Sequence, residues 1–109
     1  NPVCRFYRAP PQPDTHFYSA DPAECARVRR DFPDWTYESP AVFYIALPNT
    51  LTGACPAGTR PIWRFFNTRA TNHRYTPEVT IRDELRGDAG WIAEGYGPDA
   101  VIMCSPVSN

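Results

Sequence analysis

The sequence predicts an α+β domain: two β-β-α-β-β units in tandem, related by a pseudo-twofold axis, sharing one core and stapled by disulfides. Three observations carry this reading. The chain says the same words twice, its apolar runs are short and punctuated by proline, and each half holds one helix-start signal. Arg5-Phe6-Tyr7-Arg8 returns as Arg64-Phe65-Phe66-Asn67, and His16-Phe17-Tyr18-Ser19 as His73-Arg74-Tyr75-Thr76. Trp35-Thr36-Tyr37-Glu38 returns as Trp91-Ile92-Ala93-Glu94. Matching residues stand 56 to 59 positions apart, so small insertions fall between the words, as expected of a duplicated unit. A chain of 109 residues is one domain. Half that length buries too little surface to be comfortable alone, so the halves are expected to share a core.

The elements follow in order. Val3 to Tyr7 reads as a short strand, ended by the run Ala9-Pro10-Pro11-Gln12-Pro13-Asp14, whose prolines forbid a ladder and give a stiff connection. Thr15 to Tyr18 is a second strand. Asp21-Pro22-Ala23-Glu24 announces a helix, with Asp as N-cap, Pro at the first position and Glu completing a capping box. Cys25, Val28 and Phe32 form its apolar stripe, while Arg27, Arg29 and Arg30 make a solvated face. Pro33 stops it. Trp35 to Glu38 and Ala41 to Leu47 read as strands separated by Ser39-Pro40, the second an apolar run expected at the centre of a sheet. Unit one thus spans residues 2–47 and a turn-rich linker spans 48–59.

Unit two, residues 60–106, repeats the plan. Pro61 to Phe66 and His73 to Tyr75 read as strands joined by a polar turn from Asn67 to Thr71. Thr76 and Pro77 are expected to cap a helix that buries Ile81 and Leu85 and ends at Gly87. Trp91 to Glu94 and Ala100 to Cys104 close the unit.

Composition narrows the function classes. The chain is 42% hydrophobic, with six Phe, six Tyr and three Trp, and its net charge is −1. That excludes a disordered chain and gives no basic footprint for nucleic acid. All 11 basic residues are arginine, whose flat fork stacks on rings and pairs with carboxylates at two points. No apolar run approaches a membrane span, and the lack of a signal peptide fits a mature or excised segment. Cys4, Cys25, Cys55 and Cys104 are even in number and lack close-pair metal spacing, which points to a secreted, oxidised domain and to no metal. Three connectivities are open; Cys4–Cys25 with Cys55–Cys104 is the expected one.

The ordered words resemble those of a bacterial and fungal extracellular accessory domain of unknown function. Its repeats read P-V-Y-R-x-Y-N, H-F-Y-T and W-x-Y-E-G-x-A-F-Y, and it closes with M-C-S-P. The matching residues here are Pro61-Ile62-Trp63-Arg64-Phe65-Phe66-Asn67, His16-Phe17-Tyr18-Ser19, His73-Arg74-Tyr75-Thr76, Trp35-Thr36-Tyr37-Glu38-Ser39 and Met103-Cys104-Ser105-Pro106. Departures fall in unit one, where Arg8 replaces the Asn and Ser39 the Gly. The resemblance implies attachment to secreted hydrolases and a carbohydrate- or cell-wall-binding role.

Candidate chemistry is sparse. His16 and His73 occupy the same word and are expected to make structural hydrogen bonds beside Trp or Tyr, with ligand contact, and then acid–base or metal work, as the alternatives. Glu38 and Glu94 are matched acids. They could form a glycosidase pair, but with Arg5 and Arg64 at matched positions they more simply form Arg–Glu pairs, since a buried charge needs a partner. Phe6, Phe17, Phe43, Phe65, Trp35 and Trp91 are assigned to the core. The expected function is a non-catalytic secreted module, a monomer or part of a larger protein, that needs no cofactor and binds a glycan or cell-wall polymer. A protein-interaction or inhibitory domain is the alternative, and a small glycan hydrolase a third. Asn can both donate and accept where Arg only donates, so the expected ligand site is in unit two: Arg64, Asn67, His73, Tyr75 and Glu94.

Overall fold

The computed structural model describes residues 1–8, 15–69 and 72–107. The proline-rich connection over 9–14 and the end of the polar turn at 70–71 lie outside the described residues. Among the described residues, two antiparallel sheets and two helices make a largely β structure of α+β type. In the first half, β1 (Pro2–Arg8), β2 (Thr15–Ser19), α1 (Pro22–Asp31) and β3 (Trp35–Tyr44) give a sheet of order β2-β1-β3. In the second, β4 (Thr59–Asn67) is flanked on one edge by β5 (His73–Thr76). Its other edge takes β6 (Trp91–Glu94) and then β7 (Val101–Pro106), with α2 (Val79–Arg86) between β5 and β6 in the chain.

The two central strands use the same register. Arg5 stands opposite Tyr18 and Tyr7 opposite His16; Arg64 stands opposite Tyr75 and Phe66 opposite His73.

Several expectations are corrected by packing. Ser39-Pro40 does not divide two strands: β3 runs through it, and register shifts opposite Val3, Arg5 and Phe6 absorb the extra residues as bulges. This strand is an edge and not the centre, which is where a proline without a donor is tolerated. The centre is β1, whose Val3, Cys4 and Phe6 are buried. Phe43, assigned to the core, is therefore exposed on the edge strand beside Tyr44. Phe32 likewise leaves the buried stripe of α1 and faces outward. At α2, Thr76 is buried as the ladder partner of Trp63, and its hydroxyl accepts the Glu78 N–H at 3.0 Å. The helix consequently begins at Val79, two residues later than the Thr76-Pro77 cap implied.

Among the described residues, apolar burial falls into three clusters. One lies under α1 around Phe6, Phe17 and Val28, and one under α2 around Trp63, Phe65 and Leu85. The third joins Val3 and Ala20 to Ile102 and Met103, so one of the three clusters spans the two halves. Backbone ties reinforce the seam: Ala46 and Cys104 exchange N–H···O bonds at 3.3 and 2.8 Å. The loop between β6 and β7 packs on residues 52 and 53, where Gly97 (φ +72°) approaches so closely that a Cβ would lie 2.2 Å from the Thr52 carbonyl oxygen.

Both disulfides form with the expected pairing. Cys4–Cys25 pins α1 to β1, and Cys55–Cys104 ties the connecting segment to β7. They close loops of 21 and 49 residues in sequence separation. Loop-closure entropy then predicts that replacing Cys55 and Cys104 by serine lowers unfolding free energy by about 4 kcal/mol, against about 3 kcal/mol for Cys4 and Cys25. Urea denaturation of the two double variants measures this. A clearly larger loss at Cys4–Cys25 would show that the geometry of α1, not chain entropy, dominates.

Candidate functional site

Strand geometry builds the site. Alternation along β4 sends Trp63 and Phe65 into the core under α2 and leaves Arg64 on the opposite face, toward the first half. Register places Tyr75 and Glu94 directly across from Arg64 on the two neighbouring strands, forming a row on that face. His73, two residues before Tyr75, shares it.

Arg64 is only 3% exposed. Its Nε donates to Glu94 Oε1 at 2.9 Å, while Nη1 and Nη2 grip Glu24 Oε1 and Oε2, each at 2.8 Å. That fork-to-fork pair spans the two halves, since Glu24 belongs to α1. Nη1 also reaches the Tyr18 carbonyl at 3.3 Å, and the guanidinium lies 4.6 Å from the centre of the Phe17 ring. The capping box anticipated for α1 is thereby only half made. Asp21 accepts from the N–H groups of Ala23 and Glu24, but Glu24 turns its carboxylate to Arg64 instead of back to the cap. Tyr96, from the β6–β7 loop, donates its hydroxyl to Asp21, a second tie on the start of α1.

His73 completes the network. Its Nε2 lies 3.1 Å from Glu94 Oε1, and its side chain is 9% exposed. Phe17, Phe66 and Trp35 surround the imidazole with ring centres at 4.9, 5.0 and 6.4 Å. Its Nδ1 is buried and has no hydrogen-bond partner among the described residues.

These groups line a cleft of about 570 Å³ between the halves. Arg64, His73, Glu94 and Glu24 form its polar floor, and Phe17, Trp35 and Phe66 its aromatic walls. Arg27, Asp31 and Asp34 of the exposed rim complete the mouth. Burial pushes the Glu24 carboxyl up, but the hydrogen bonds and charge of Arg64 outweigh it and hold the group below its ordinary value. Glu94 follows the same pattern, with burial opposed by His73 and Arg64. Arg64 itself is raised: burial works against its charge, and Glu24 together with Tyr75 and Glu94 more than compensates.

Of the five ligand residues expected from the sequence, the cleft brings together Arg64, His73 and Glu94. Tyr75 lies elsewhere: its hydroxyl accepts the Tyr18 N–H and donates to the Tyr18 carbonyl, both at 2.8 Å, latching β5 to β2. Asn67 shapes the turn after β4. Its Oδ1 accepts the Arg69 N–H at 2.9 Å, and its own N–H donates to the Asn72 carbonyl at 2.8 Å. The expected Arg–Glu pairs are present in both halves, Arg5–Glu38 at 2.8 Å and Arg64–Glu94 at 2.9 Å. His16 adds to the first at 3.3 Å, but that trio is partly exposed and Glu38 does not line the cleft. Glu24, Phe17 and Trp35 were missed as site residues. One sequence signal pointed to Glu24: it stands five residues after Ser19, where the second half has Ile81 five after Thr76. Its acid has no counterpart.

Chemically, the floor centres on one guanidinium and two carboxylates that hydrogen-bond one another. Glycoside hydrolysis needs one carboxyl kept protonated as the acid, and here both floor carboxyls are held on the ionised side. No cluster of three or more His, Cys, Asp or Glu side chains suited to a metal occurs among the described residues.

Arg64→Ala strands Glu24 in the seam and is expected to cost about 3–5 kcal/mol, as for a buried ion pair broken from one side. Arg5→Ala, at the matched but solvated position, is expected to cost under about 1 kcal/mol. Comparable losses in chemical denaturation would refute the difference drawn between the two trios. The lowered carboxyls also set an acid limit. Their stabilisation is complete above the ordinary value of 4.5 and is lost as pH falls below it, through the lower folded-state values. The melting temperature is therefore expected to drop on acidification below about pH 4.5, with a shallower drop in Glu24→Gln. A wild-type curve that stays flat through that window contradicts the assignment.

Searches of the curated proteins and of the solved structures return no significant match. The family model described as Domain of unknown function (DUF5648) matches residues 2–102, and the chain belongs to that family.

Proposed function

We propose that this domain is a non-catalytic, extracellular recognition module, and that it binds a glycan or cell-wall polymer in the cleft between its halves. One observation carries the reading: the half-buried ring of Trp35 stands at a concave mouth whose floor holds converging, planar polar groups. Glycan sites need that combination, a ring face for the C–H surface of a sugar and fixed polar groups for its hydroxyls. The two disulfides support an oxidising, secreted setting. The repeated words and shared strand register support two units duplicated about a pseudo-twofold axis. In this reading both units began with an Arg–His–Glu trio, and only the second was enclosed, by Glu24 of the first, into a binding floor.

A second reading has its own observation. An apolar groove of about 460 Å³ runs along the seam past Phe43, Tyr44, Ile62 and Met103, and Tyr44 is 73% exposed. Such a surface suits a protein partner. A glycan array followed by calorimetry separates the two. Trp35→Ala is expected to weaken glycan binding at least about tenfold, and Tyr44→Ala to leave it unchanged. The reverse pattern, or no bound glycan from a folded domain, would move the assignment to the apolar groove.

A further inference from the structure

The second half of β3 and the segment after it make an uncharged stretch. Between Glu38 and Arg60 the chain carries no charged residue. Among the described residues, β3 is a sheet edge whose strand partner is β1. At the end of that ladder the backbones of Asn1 and Ile45 exchange both N–H···O bonds. Alternation along an antiparallel pair then turns the backbone groups of Phe43 toward Val3. Those of Tyr44, and the Val42 carbonyl, turn to the open side. Phe43 and Tyr44 are exposed there, and the apolar groove of about 460 Å³ runs past them with no charged side chain in its lining.

An open, uncharged, aromatic edge is a template for another strand, and proteins usually blunt such edges with charge, proline or a cover. Two neighbours limit how far a strand can pair here. On one side stands Pro40, which has no N–H to donate. On the other, Ala46 already exchanges both its backbone bonds with Cys104, at 3.3 and 2.8 Å. These limits match each other. When a second β3 runs antiparallel with Phe43 opposite Phe43, each Tyr44 faces Val42 of the other copy and each Pro40 faces Ala46. The residue without a donor then meets the residue whose donor is already used. The edge is complementary to itself, and it brings no charge to repel a like surface. Both points single out a second copy over an unrelated strand.

We propose that the domain forms a twofold dimer through this edge. Each Tyr44 N–H donates to the other copy's Val42 carbonyl, Phe43 meets its counterpart on the axis, and the two three-stranded sheets join edge to edge. The proposal rests on the second reading above, in which the apolar groove takes a protein, and it names that protein. It does not depend on the cleft, which none of Val42, Phe43 and Tyr44 lines. Pairing places two clefts on one particle, which raises avidity for a repeating polymer without any new contact to it.

The test uses the oxidised 109-residue chain with no ligand added. Sedimentation equilibrium from about 1 μM to about 1 mM is expected to show a weak monomer–dimer equilibrium, since an edge pairing is smaller than a standard interface. Phe43→Arg and Phe43→Glu each set like charges across the axis and are expected to weaken the dimer at least about tenfold. An equimolar mixture of the two variants is expected to associate again, because opposite charges then face each other. In the wild type, hydrogen exchange at the Tyr44 amide is expected to slow as concentration rises, while the Phe43 amide, held by β1, does not change. That measurement decides the point should the variants fold poorly. A monomer across the whole range would overturn the dimer and leave the groove to a different protein. A dimer undiminished by Phe43→Arg, a mixture that stays monomeric, or a Tyr44 amide indifferent to concentration would overturn it as well. Trp35→Ala and Tyr44→Ala in the glycan assay test the cleft and groove readings separately.

Discussion

The contact on which the rest depends is the two-point pair between Arg64 on β4 and Glu24 on α1. A guanidinium this buried persists only if its charge and donors are met, and desolvating two ions offsets most of their attraction. Such a pair adds little net stability compared with apolar packing of similar volume. What it adds is orientation: α1 has few positions in which Glu24 can present both oxygens to that fork. Removing either partner strands the other, so the seam between the halves is held to one arrangement by the cost of leaving it.

Neighbouring contacts make that arrangement cooperative. Tyr75 clamps the backbone of Tyr18, Tyr96 reaches Asp21 at the start of α1, and Cys25 fastens the same helix to β1. With the Arg64–Glu24 pair, three ties on α1 and its cap come from outside the helix, two of them from the second half. The cleft is a by-product of this bracing. Its floor is the ion network, and its walls are rings that pack partly on that network, with Phe17 in contact with both Arg64 and His73. A preorganised floor needs little reordering when a ligand binds.

The repeated words meet different fates for a plain reason. Arg5, His16 and Glu38 assemble as Arg64, His73 and Glu94 do, yet stay in contact with water. No acid at the Ile81 position of α2 matches Glu24, so the first trio lacks the partner that would let its arginine be enclosed. Identical motifs therefore yield a solvated surface cluster in one half and a buried floor in the other.

Local rules sufficed for much of the architecture. The helix signal at Asp21-Pro22, the short strands and the Arg–Glu pairs were legible because capping, alternation and charge pairing act over a few residues or repeat between the halves. The pairing of the four cysteines was the expected one of three. Only tertiary structure decided the rest. Whether Ser39-Pro40 breaks a strand depends on its lying at a sheet edge, and whether Phe43 is buried depends on what covers that edge. The sequence placed three of the floor residues but centred them in the second half, because nothing local shows that Glu24 abandons its cap for an arginine 40 residues away. A site formed where two halves meet is set by how they pack, and that information is carried by no single stretch of the chain.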